Sequence, residues 1–131
     1  MKNIYHGRRL DKPEIIKEGT YKGYEYIILT MGTHPCSYII LPQGHAYHGK
    51  KYDDVPLECH GGLTYSNSKI LNHDNGGWVI GWDYAHLGDH LSYKEVPSGI
   101  FAGHEWTVEE LQSEMEEAIT NLEQITEEAT Q

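Results

Sequence analysis

The feature that most constrains this chain lies near its C-terminus. Thr107-x-x-Glu110 is a capping box, in which the Thr hydroxyl accepts from the third helical N–H and the Glu side chain accepts from the Thr backbone N–H. Behind it Val108, Leu111, Met115, Ala118, Leu122 and Ile125 recur at helical spacing, giving one apolar seam on a helix of about five turns, expected over residues 107–127. Glu109, Glu110, Glu114, Glu116, Glu117 and Glu123 take the other faces, and the first of them suit the positive end of the helix dipole. A helix with one apolar seam needs a surface to cover. A sheet is the expected partner for its first half, and a second helix in a dimer is the competing use of the rest.

The sheet is read from runs of β-branched and aromatic residues. Tyr24–Thr30 and Ser37–Leu41 flank Met31-Gly-Thr-His-Pro-Cys36, whose Gly and Pro mark a turn, so the pair reads as a hairpin. Leu63–Ser66 and Gly77–Tyr84 read as two more strands, joined around His73-Asp-Asn-Gly-Gly77. Trp78, Trp82 and Tyr84 share one strand face, expected under the helix, while Asp83 points the other way. Residues 1–22 read as an irregular lead-in, 23–84 as the sheet and 85–106 as irregular, with Pro42–Glu58 a long surface loop. The expected fold is α+β: one domain over 1–131, with a small antiparallel sheet of about four or more strands covered by the long C-terminal helix.

Charge and cysteine usage limit the partners. The net charge is −10, and it is uneven: residues 1–94 balance ten acidic against ten basic side chains, whereas 95–131 hold ten Glu and no Lys or Arg. Such a surface repels nucleic-acid backbones, so duplex binding is not expected. No apolar run has the length of a membrane span, and the N-terminus lacks the apolar stretch of a secretory signal, so no membrane partner is expected and cytoplasm is the expected location. Cys36 and Cys59 have neither metal spacing nor disulfide-scaffold density and read as buried thiols.

Chemistry concentrates in two segments, Cys59–Ser66 and Gly81–His90. His60-Gly61-Gly62 combines an imidazole with a backbone that can take positive φ or approach a ligand closely. Thr64 and Ser66 share a strand face, and Asp83, His86, Asp89 and His90 follow an apolar strand. His60, Asp83, His86 and Asp89 could ligate a divalent metal, or act without one, His as general acid or base and Asp as its orienting partner. The competing reading is structural: Asp83 caps a turn, His86 donates to a carbonyl and the glycines shape a corner. His34, His45 and His48 read as exposed loop residues. Phosphate-binding glycine loops and a Gly-x-Ser-x-Gly nucleophile elbow are absent, and no cofactor follows from the sequence.

Three blocks together, Pro42-Gln-Gly-His-Ala-Tyr-His-Gly-Lys-Lys-Tyr-Asp-Asp-Val55, Cys59-His-Gly-Gly-Leu-Thr-Tyr-Ser66 and Trp78-Val-Ile-Gly-Trp-Asp-Tyr-Ala-His-Leu-Gly-Asp89, resemble a family of short, largely uncharacterised proteins found in many bacteriophage genomes. The resemblance covers about residues 36–89 and the helix, and leaves the N-terminal third and 90–106 unmatched. Members tend to have Phe and a small residue where this chain has Trp82 and Tyr84. The resemblance implies counter-defence in an infected bacterial host, acting on a nucleotide-type immune signal such as a cyclic dinucleotide or an ADP-ribose derivative. It carries over His60, Thr64, Asp83, His86 and Asp89 as the site, which are the catalytic candidates; Gly61, Gly62, Tyr65, Ser66, Tyr84 and His90 of the same two segments are the ligand-binding candidates. Hydrolysis is the first expectation, because acid–base groups outnumber fixed cations. Sequestration by a homo-oligomer with shared pockets is the second, and an acidic inhibitor of a host nuclease the third.

Overall fold

A computed structural model describes residues 3–93 and 103–130. Five strands form one antiparallel sheet: β1 Glu14–Tyr21, β2 Tyr24–Thr30, β3 Pro35–Leu41, β4 Tyr65–Asn67 and β5 Trp78–Asp83, in spatial order β1-β2-β3-β5-β4. The helix α1 spans Val108–Ala129 and packs on one face. The fold is therefore α+β, as the sequence predicts.

The lead-in is a correction. Residues 14–21 are not irregular but form the edge strand β1, paired with β2 from Glu14↔Thr30 to Tyr21↔Tyr24, with a bulge between Ile15 and Lys17. The hairpin turns on Lys22 and Gly23, both at positive φ (50° and 84°), the backbone of a two-residue turn matched to strand twist. An edge strand needs no continuous apolar pattern, and every residue of β1 is exposed or half-buried.

The helix is set by the capping box the sequence predicts. Thr107 Oγ1 accepts from Glu110 N at 3.2 Å, and Glu110 Oε1 accepts from Thr107 N at 3.0 Å. Leu111, Met115, Ala118, Ile119 and Leu122 are buried against Tyr26 and Ile28 of β2, Ile39 and Leu41 of β3, and Ile80 and Trp82 of β5. Ile119, outside the predicted seam, joins it, while Val108 and Ile125 are only partly buried. Val55 and Leu57 reach this core from the long loop, whose one regular piece is a 3-10 turn at Tyr52–Asp54.

The opposite sheet face carries its own cluster, Ile27, Leu29, Cys36, Tyr38, Ile40 and Val79, with Ile15, Met31, Tyr65 and Ile70 packed against it. Apolar side chains on both faces explain why β2 and β3 read as unbroken apolar runs rather than alternating ones. No helix among the described residues is long and apolar enough to cross a membrane.

Candidate functional site

The two chemistry-bearing segments meet beside the helix. A tight turn, closed by Gly62 N donating to Cys59 O at 3.0 Å, presents His60. Gly61 and Gly62 both hold positive φ, 69° and 82°, and a Cβ on Gly61 would fall on the His86 ring. That position needs glycine twice over, for its backbone and for the imidazole against it.

Asp89 organises the centre. It is 5 % exposed, and Oδ2 accepts from His60 Nε2 at 2.8 Å and from His86 N at 3.0 Å, while Oδ1 accepts from Trp106 Nε1 at 2.9 Å. Burial alone raises the carboxyl's pKa, but the three donors outweigh it and hold Asp89 below the usual carboxylate range. His60 stacks flat on Tyr84, with ring centroids 4.5 Å apart and planes at 12°, and meets the edge of Trp106. With Nε2 committed to Asp89, Nδ1 is the nitrogen left for a ligand.

Tyr84 continues the arrangement into the helix. Its hydroxyl accepts from Trp82 Nε1 at 3.0 Å and donates to Glu114 Oε1 at 2.7 Å. Burial first, then the hydrogen bond to Glu114, raises the phenol's pKa, so it stays a donor. Glu58, Cys59, His60, Glu114, Glu117, Ala118 and Asn121 line an open cleft of about 250 Å³. The Cys59 thiol is pushed up to about 12 by burial and by the Glu114 charge, which makes it a poor nucleophile.

The other sequence candidates divide. Asp83 accepts from Thr64 Oγ1 and from Ala85 N, each at 3.1 Å, so it ties the strand end as the structural reading expects. His86 Nε2 lies 3.3 Å from Asp83 Oδ1, yet it is buried without a hydrogen bond among the described residues, because the contact lacks hydrogen-bonding geometry. Tyr65 lies on the far sheet face, edge-on to Tyr38, and its hydroxyl donates to Lys69 O. Ser66 Oγ accepts from Tyr52 N at 3.0 Å and holds the 3-10 turn. His90 packs edge-on against Tyr5. Of the candidates named from the sequence, His60 alone is among the residues lining the cleft.

His34, His45 and His48, expected in the open, are half-buried. Sequence reading missed Glu58, Glu114, Glu117 and Asn121 as cleft residues, and Trp106 as a partner of Asp89. Trp106 arrives because residues 103–106 lie along 88–90, with His90 N donating to His104 O and His104 N to Gly88 O. Glu114 follows Leu111 by three and precedes Met115, so it flanks the buried seam, and that was its one sequence signal.

Among the described residues no group of three or more His, Cys, Asp and Glu side chains is arranged to hold a metal ion. Comparison with protein-family models, with curated proteins and with solved structures finds no match to this chain.

Proposed function

We propose that the protein is a phage-type counter-defence hydrolase that takes a small nucleotide-type immune signal into the cleft at His60 and inactivates it, in the cytoplasm of the infected host. The observation that supports this reading is the His60–Asp89 pair: an imidazole oriented through Nε2, held flat on Tyr84, with Nδ1 left for a ligand at a cleft. That is the geometry of a general acid or base with an orienting carboxylate. Hydrolysis is preferred over sequestration because no Lys or Arg is among the residues lining the cleft, whereas a passive holder of phosphates relies on such cations.

The test incubates the protein with cyclic dinucleotides and ADP-ribose derivatives, removes it by filtration, and analyses the filtrate before and after heating the protein fraction. New products that His60→Ala, still folded by circular dichroism, does not form support the proposal. Intact release of the compound on heating replaces hydrolysis with sequestration. A filtrate unchanged for every compound rejects both.

A further inference from the structure

Resting on the hydrolytic reading, we infer that the bond broken in this cleft is a sugar–nitrogen (N-glycosidic) bond rather than a phosphodiester, with Glu114 as the second catalytic residue beside His60. The charge around the cleft is of one sign. Three carboxylates, Glu58, Glu114 and Glu117, line it together with His60, Cys59, Ala118 and Asn121, and no cation opposes them among those residues.

A site is complementary to the charge that develops in its transition state. Phosphoryl transfer spreads negative charge over the phosphate oxygens, and sites that catalyse it surround those oxygens with Arg, Lys or metal ions. Three carboxylates would raise that barrier. Departure of a base from ribose does the opposite, because positive charge grows on C1′ and the ring oxygen, an oxocarbenium-like state that carboxylates stabilise.

Glu114 stands apart from the other two carboxylates by how it is held. Its Oε1 accepts from the buried Tyr84 hydroxyl, which is itself fixed by Trp82 Nε1, and the same Tyr84 ring carries His60. One buried aromatic residue thus positions both an imidazole and a carboxylate. Each is anchored through one polar atom, Nε2 of His60 and Oε1 of Glu114, and both residues line the cleft.

The step balances with these two groups and water. His60, in its imidazolium form, gives the Nδ1 proton to the departing base nitrogen as the C1′–N bond breaks and its electron pair passes to that nitrogen. Water adds through oxygen to C1′, and Glu114 takes the proton it sheds. For adenine or guanine a proton returned from Glu114 to His60 through solvent restores the site, and the net change is one water added across the bond; nicotinamide leaves NAD⁺ already neutral, takes no proton from His60, and Glu114 passes the proton shed by water to solvent.

The experiment incubates the full chain with NAD⁺, AMP, ADP-ribose and cyclic di-GMP, and separates released base from opened phosphodiester by chromatography. Release of nicotinamide, adenine or guanine with a matching reducing sugar is the expected result. Glu114→Gln, which keeps a group able to accept from Tyr84, should lower that rate roughly 100-fold. Formate added to Glu114→Ala should restore part of it, a rescue that a merely structural role for Glu114 would not show. Opening of cyclic di-GMP without base release overturns this inference and leaves the hydrolytic proposal standing. Base release unaffected in both Glu114 variants overturns the assignment of Glu114, and intact return of every compound overturns both the inference and the hydrolytic reading.

Discussion

Asp89 is the residue on which the site turns. Its two oxygens satisfy three donors from three places in the chain, His60, the His86 backbone and Trp106. Asp89→Ala should therefore cost roughly 1–3 kcal/mol for each buried donor it orphans, and urea unfolding would measure it. The sign of the pH effect follows from its lowered pKa. A carboxyl more acidic in the folded than in the unfolded chain contributes stability above its ordinary value, lost as pH falls through the folded one. Wild type should weaken on acidification below about pH 4, and Asp89→Asn should show a shallower decline in the same urea series. Gly61 and Gly62 offer a cleaner comparison. Both hold positive φ, but only at Gly61 would a Cβ strike another residue, His86. Gly62→Ala should cost about 1–2 kcal/mol for its backbone alone. Gly61→Ala should cost about 1–3 kcal/mol more for overpacking, and it should also lower activity, because it displaces the His86 segment that donates to Asp89. Equal costs would mean that the His86 ring moves aside freely.

At the scale of elements, legibility followed how much of an element's pattern is local. The capping box and seam of α1 are written in consecutive residues, so the helix was readable to within two residues at its end. Thr107→Ala removes one half of the box and should cost about 1 kcal/mol, visible as a lower melting temperature with unchanged helix signal in the cold. The central strands were readable because both faces are buried. By contrast, β1 was not: its turn uses Lys22-Gly23 instead of an Asn-Gly pair, its bulge interrupts the alternation, and its edge position tolerates Glu, Lys and Gly. The site shows the same division. His60, Asp83, His86 and Asp89 lie in two short segments and could be named, whereas the pairing of His60 with Asp89 rather than with Asp83 depends on how a turn closes. Glu114 and Trp106 enter from distant chain, and no local pattern marks them as neighbours of His60.

Across the whole molecule, two effects of pH oppose each other near neutrality. The net charge of −10, all of it arising from residues 95–131, repels itself, and protonation on mild acidification relieves part of that repulsion. Histidines act the other way. His45 joins β2, the long loop and α1: Tyr47 N donates to Nδ1 at 3.1 Å, so the proton resides on Nε2, which lies 2.8 Å from Tyr24 Oη and 3.2 Å from Thr126 Oγ1. A second proton on Nδ1 would break the Tyr47 bond. Burial, with His48 adding its charge, holds the pKa of His45 down, and burial, partly offset by Asp83, does the same at His34. A histidine with a depressed folded pKa contributes stability that is full above its ordinary value near 6.5, and the contribution falls as pH drops towards the folded value. Salt separates the two effects, since it screens dispersed surface charge far more than a half-buried imidazole. In high salt, wild-type stability should decline between about pH 7 and 5, and His34→Gln with His45→Gln should abolish most of that decline. A decline unchanged in the double variant would place the pH sensitivity elsewhere.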